Sequence, residues 1–158
     1  MQIELSASDI KILQLLQENA ALSTADIAEQ VGLSQSPCWR RISRLEQAGL
    51  IRRKVAVLDH TRLGMEVVVF VNINLNAHGR QDLRAFEKEI EKYPEVLECY
   101  TVTGQMDYLL KIVTRDIQHY ERFIRDELMA LPMIREMHST IAITEIKNTT
   151  ELPLQSQM

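Results

Sequence analysis

The run Ser34–Gly49, SQSPCWRRISRLEQAG, reads as one helix with both ends marked. Ser34 is an N-cap residue type, Pro37 falls in the first turn, and Gly49 stands where a helix stops. At 3.6 residues per turn, Cys38, Ile42 and Leu45 share one face. Ser36, Arg40, Ser43, Arg44 and Gln47 share the other. One stripe is made for burial. The opposite one offers hydroxyls, an amide and guanidinium forks, the donors that meet phosphates and base edges. The helix is a candidate DNA-recognition element, with Ser34, Gln35, Ser36, Pro37, Trp39, Arg40, Arg41, Ser43, Arg44 and Gln47 as its candidate contacts.

The flanking chain fits that role. Ser6-Ala7-Ser8-Asp9 has capping-box spacing and precedes Ile10, Leu13 and Leu16 at helical intervals, with Ile12 and Leu15 beside the stripe. Ser23-Thr24-Ala25-Asp26 repeats the signal and opens a second helix with Ile27, Ala28 and Val31 inward. Gly32 closes it, and Leu33 anchors the turn into Ser34. Two helices joined by a few residues around a glycine form a helix-turn-helix. After Gly49, Leu50–Leu58 is rich in strand formers and contains Arg52, Arg53 and Lys54. It reads as a wing whose cations reach flanking phosphates, or as a soluble edge strand. Residues 59–64, DHTRLG, read as a hinge between domains 1–58 and 65–146.

The second half alternates. Met65–Leu75 is a predicted strand, apolar throughout Val67–Val71, as a strand covered on both faces would be. Gly79–Lys92 follows as a helix with Leu83, Phe86 and Ile90 inward. Val96–Thr103 and Asp107–Thr114 are strands joined by a tight turn. Asp116–Leu131 is a helix with Ile117, Tyr120, Ile124 and Leu128 inward, and Ile134–Ile146 is the last strand. The order βαββαβ predicts a ferredoxin-like α+β domain, with an antiparallel sheet and two helices on one face. The other face, expected to carry Val, Ile, Leu and Thr, suits a second copy of the chain. Residues 147–158 are expected to be a polar, partly mobile tail.

Net charge is −4, unusual for a nucleic-acid binder until it is divided. Residues 1–64 hold eight Lys+Arg against seven Asp+Glu, whereas residues 65–158 hold ten against fifteen. Six cations and one acid fall within Arg40–Lys54, a local patch suited to a phosphate backbone. No apolar run approaches the roughly 18 residues of a membrane helix, and the first residues lack a signal-peptide pattern, so a cytoplasmic location is expected. Cys38 and Cys99 match no CxxC spacing and read as free thiols, Cys38 on the buried stripe and Cys99 on the sheet's partner face. His60, His78, His119 and His138 have no metal spacing.

The run Ser23-x-x-Asp26-Ile27-Ala28-x-x-Val31-Gly32-Leu33-Ser34, continuing to Arg41-Ile42-x-x-Leu45-x-x-x-Gly49, resembles the helix-turn-helix signature of the Lrp/AsnC (feast/famine) transcriptional regulators. Ser36–Arg41 looks like the branch holding many regulators of amino-acid catabolism. The βαββαβ half, with Gly104-x-x-Asp107, looks like that family's effector-binding and oligomerisation domain. The resemblance implies a winged helix-turn-helix regulator that acts as a homodimer, often assembled to octamers, and whose operator binding responds to an amino acid. The family's effector lies between subunits near the turn joining strands two and three, here Thr103-Gly104-Gln105-Met106-Asp107-Tyr108. Turn N–H groups could hold a carboxylate and Asp107 an ammonium, or Asp107 could cap the turn. By analogy Tyr100, Thr101, Ser139 and Thr140 join the site.

No catalytic step, cofactor or metal is expected. Siroheme decarboxylases resemble the same family, so an enzyme is one alternative. An architectural DNA-binding protein without effector is another, and an isolated amino-acid-binding module a third. On the recognition helix, Arg41 reads either as a phosphate contact or as half of an internal salt bridge. Trp39 reads either as interhelical packing or as a DNA contact.

Overall fold

A computed structural model describes residues 4–76 and 80–154. His78, the expected helix start at Gly79 and the last four residues lie outside them. The chain divides into two compact units, Met1–Val57 with Lys147–Met158, and Leu58–Ile146. The tail, expected to be polar and partly mobile, groups with the helical unit.

In the first unit, α1 (Ala7–Glu18), α2 (Thr24–Val31) and α3 (Gln35–Gln47) form a three-helix cluster. The Ser6–Asp9 and Ser23–Asp26 capping boxes are both complete. Cys38, Ile42 and Leu45 are buried against Ile12, Leu16, Ile27 and Ala28, with Leu33 packed beside them. Ile12, expected only to flank its stripe, is fully buried, and Leu13 is partly so. Gly49 ends α3 with φ 73°, which only glycine adopts freely. Its N–H bonds Glu46 O at 2.9 Å and the next N–H, of Leu50, bonds Leu45 O at 3.1 Å, closing the last turn as a Schellman motif.

Ser34 holds the N-cap position of α3, but its side chain makes no capping hydrogen bond. The reason is local. An N-cap hydroxyl bonds the amide two or three residues on, and the third is Pro37, which has none. The expected wing strand also differs. Residues 52–59 are not in a strand, and no strand of the first unit lies among the described residues to pair with them. Without a neighbouring strand in its unit the segment has no ladder partner.

The second unit consists of β1 (Val67–Leu75), α4 (Arg80–Ile90), β2 (Val96–Thr101), β3 (Tyr108–Thr114), α5 (Ile117–Phe123) and β4 (Ile134–Ile141). The strands pair antiparallel in the order β2-β3-β1-β4, as the βαββαβ pattern predicts. Val69, Val71 and Ile73 pack with Leu110 and Ile112 under Phe86, Ile90, Tyr120, Phe123 and Leu128. β1 is therefore covered on one face only, and Phe70 on the other is exposed. β4 stops at Ile141, because Ala142 N–H to Val68 O is the last bond before β1 runs out.

α5 is shorter than expected and passes into a π-helical turn over Ile124–Leu128. The wider turn spaces Phe123 and Leu128 five residues apart and still buries both. Ile117, expected inward, is exposed.

The uncovered face of the sheet is not purely aliphatic. Glu98 and Lys111 form an ion pair there at 3.6 Å, beside Phe70 and Tyr100, and Glu136 and His138 pair at 2.9 Å. Cys99, expected on this face, lies in register with Leu110 and so faces the helices.

Candidate DNA interface and ligand turn

Each recognition-helix residue has a definite environment. Arg40 is exposed on α3, and no ion pair engages it among the described residues. Gln35, Ser36 and Gln47 are exposed, while Pro37 and Ser43 are half-buried. Trp39 is 59% exposed, so interhelical packing does not explain it.

Arg41 and Arg44 both reach Asp9 of α1. Arg41 Nη1 lies 3.0 Å from Asp9 Oδ1 and Arg44 Nη2 lies 2.7 Å from Asp9 Oδ2. Arg41 also donates to Ser6 Oγ at 3.1 Å. Asp9 is 1% exposed and accepts as well from the Ser6 N–H and hydroxyl. Burial raises its pKa. The Ser6 bonds, the Arg41 guanidinium and the Arg44 charge more than offset that and hold it at about 2. Arg41 therefore makes the internal salt bridge, and Arg44, expected wholly on the DNA-facing side, shares it. Both side chains stay partly open, 35% and 52% exposed.

Arg52 and Arg53 are exposed on the segment after α3. Lys54 instead pairs with Glu46 of α3 at 2.9 Å.

The turn expected to hold a ligand is well formed. Gly104 has φ 118°, open only to glycine. Asn74 Nδ2 donates to Gln105 O at 3.0 Å, and Asp107 N–H donates to Ile73 O at 2.9 Å. Asp107 Oδ2 accepts the Leu75 N–H at 2.8 Å. The β1–β4 register shifts between Asn74 and Leu75, and the carboxylate takes up a backbone donor at that irregularity. Asp107 is thus a structural tie between the turn and β1. Thr103, Gly104 and Gln105 are exposed, and Met106 is half-buried.

Within one chain, several residues expected at this site stand apart from the turn. Tyr108 is opposite Ile73, 2% exposed, and packs tilted against Phe86 at 4.6 Å between ring centroids. Its hydroxyl donates to Glu87 at 2.9 Å. Burial, with that carboxylate, pushes the phenol well above its ordinary range. Ser139 and Thr140 lie on β4, at the opposite edge from β2, which carries Tyr100 and Thr101. Two strands intervene, roughly 14 Å at the usual strand spacing. Ser139 accepts from the Tyr120 hydroxyl at 2.5 Å, and Thr140 points to the other face beside Phe70. One chain does not bring these two groups together.

Sequence reasoning missed Asp9, Asn74 and Glu87. In the sequence Asp9 reads as the acid of a capping box, and 32 and 35 residues separate it from its arginines. No spacing rule reaches that far.

Among the described residues no His/Cys/Asp/Glu group is arranged to hold a metal, and no helix is long and apolar enough to cross a membrane.

The chain matches two protein-family models, a winged helix-turn-helix DNA-binding domain over residues 5–52 and the Lrp/AsnC ligand binding domain over residues 68–152. It is 39% identical to the transcriptional regulator AzlB of Bacillus subtilis, covering 98% of each chain. Among solved structures it is similar to the transcriptional regulator NMB0573/L-Met complex from Neisseria meningitidis. The TM-score is 0.94 at 35% identity, covering 98% of this chain and 100% of that one. An AsnC family transcriptional regulator from Agrobacterium tumefaciens gives a TM-score of 0.92 at 42% identity, again over 98% and 100%. A basic recognition helix, an antiparallel βαββαβ sheet and these matches lead to one assignment: the chain belongs to the Lrp/AsnC family of transcriptional regulators.

Proposed function

We propose that this protein binds operator DNA through α3 and that an amino acid, held near the Thr103–Asp107 turn, modulates that binding. The observation that carries the DNA reading is Arg40. It stands exposed and without an ion pair among the described residues, at the centre of a face shared with Ser36 and Gln47. Arg52 and Arg53 extend the basic surface beyond the helix. The similar Neisseria protein was solved as an L-Met complex, which supports an amino acid as the ligand class. The turn suits an α-carboxylate, because the Gly104, Gln105 and Met106 N–H groups take no intramolecular hydrogen bond among the described residues.

The working unit in this reading is at least a homodimer. Val55, Val57 and Leu58 expose apolar side chains on a segment outside any helix or strand, as Ile143 and Ile146 do beyond β4. A second copy would cover such surfaces and pair the helices on two half-sites. Ligand binding would favour one arrangement of the subunits and so change operator affinity. The reading involves no catalytic step.

Operator binding by the Arg40→Ala, Arg44→Ala double variant tests the DNA half. Binding should be lost while the oligomer persists in sizing experiments, and unchanged affinity would overturn the assignment of α3. A thermal-shift panel of the amino acids, followed by DNA binding with each hit, tests the ligand half. A complete absence of hits would favour a DNA-packing protein.

A further inference from the structure

Resting on the DNA-binding reading, we infer that the recess beside Arg41 and Arg44 seats a backbone phosphate of the duplex, and that Asp9 is the positioning residue that aims both guanidiniums at it. Pro37, Arg40, Arg41 and Arg44 line a shallow recess of about 290 Å³ on α3. Asp9 lies behind the two inner arginines and bonds one nitrogen of each. Its pKa of about 2 keeps it ionised at every physiological pH.

The charge count is what asks for an anion. One buried carboxylate faces two guanidiniums, so one positive charge is left over at a fixed place. Arg40 at the rim adds another. A guanidinium has five N–H donors in a rigid fork, and one bond to Asp9 leaves the outer edge for a second oxygen acceptor. Holding these side chains in advance removes rotamer entropy that binding would otherwise cost.

The arrangement divides labour along one helix. Arg41 and Arg44 are tied toward α1 and cannot swing across to base edges without leaving Asp9. They suit the phosphate, which fixes register and carries no sequence information. Arg40 has no such tether and is the guanidinium left to read a base.

The test uses the full-length protein and two duplexes of equal length. One is selected by the wild-type chain from a random-sequence pool, and the other is unrelated. Affinity for each is measured across a series of salt concentrations. Arg44→Gln should weaken both duplexes by the same factor and make the slope of log K against log salt shallower by about one. Arg44→Lys should restore the slope, since a phosphate accepts a point charge. Arg40→Gln should instead lower the ratio between the two duplexes, by roughly tenfold, the usual range of one base contact.

Asp9→Asn gives the sharpest contrast. It removes a negative charge beside the DNA, so simple Coulomb attraction predicts tighter binding. Positioning predicts weaker binding to both duplexes, under conditions where melting shows the variant folded. Tighter or unchanged binding overturns the role of Asp9. A changed ratio with an unchanged slope for Arg44→Gln overturns the phosphate seat, and no effect on either duplex leaves Arg44 as a structural bridge only. If the wild-type chain retains no duplex from the pool, the DNA-binding reading itself fails.

Discussion

Asp9 concentrates more of the helical unit's electrostatics than any other described side chain: it caps α1, and it receives both inner arginines of α3. Its folded pKa, about 2, lies below the unfolded value of 3.8. A depressed carboxylate stabilises the fold above the unfolded value, and that stabilisation is lost as pH falls through the folded one. The contribution is on the order of 2 kcal/mol. Denaturant unfolding of wild type and Asp9→Asn should therefore show a gap above pH 4 that closes toward pH 2. A gap independent of pH would assign the loss to packing. Asp107 makes a second prediction. With its carboxylate on the Leu75 N–H, Asp107→Ala should cost about 1–3 kcal/mol, the penalty of leaving that donor unsatisfied. It should also blunt the effector response while sparing DNA binding without ligand. Asp107→Asn keeps an acceptor and should recover much of both in the same melting and binding assays.

Among the elements, α3 starts and stops by different means. Its C-terminus is closed by the Gly49 Schellman turn, where an added Cβ would meet no heavy atom within 4 Å beyond its own chain neighbours. Gly49→Ala should therefore destabilise by about 1 kcal/mol through backbone conformation alone. Its N-terminus lacks the hydroxyl cap that α1 and α2 have. Ser23→Ala should cost about 1 kcal/mol, whereas Ser34→Ala should cost little, because the Ser34 hydroxyl makes no capping hydrogen bond to lose. Chemical denaturation of the three variants checks this ordering, and an equal loss at Ser23 and Ser34 would refute it. The π turn after α5 shows the opposite relation between pattern and packing. Helical spacing correctly places Tyr120 and Leu128 inward, but the turn brings in Phe123 and leaves Ile124 half-buried.

For the molecule as a whole, the chain passes between its two units twice, at Val57–Leu58 and again at Ile146–Lys147. The returning tail is fastened in the helical unit by a reciprocal amide pair. Gln17 Nε2 donates to Leu152 O at 3.0 Å, and Leu152 N–H donates to Gln17 Oε1 at 2.9 Å. The described part of a segment expected to be partly mobile thus has a defined anchor in the helical unit. Each exposed hydrogen bond contributes about 0.5–1.5 kcal/mol. Gln17→Ala should therefore speed tryptic cleavage after Lys147 several-fold without altering the melting of the sheet domain. An unchanged cleavage rate would show that the amide pair does not hold the tail.

The helix caps at Ser6 and Ser23, the stop at Gly49, the buried stripe of α3 and the βαββαβ order were all legible in the residues. Each is carried by neighbours within one or two turns, or by a periodicity running along one element. The family resemblance lay in such contiguous runs too. Residue roles in the sites were a different matter. Arg41 and Arg44 acquired their partner from α1, Tyr108 turned inward by strand register, and Asp107 was claimed by a backbone donor at a shift in strand pairing. Ser139 and Thr140 were carried to the far edge of the sheet by strand order. Those outcomes depend on contacts between segments far apart in the chain, and they decide which charges remain open to DNA or ligand. Local chemistry specifies the elements, whereas the pairing of distant side chains exists only once those elements pack.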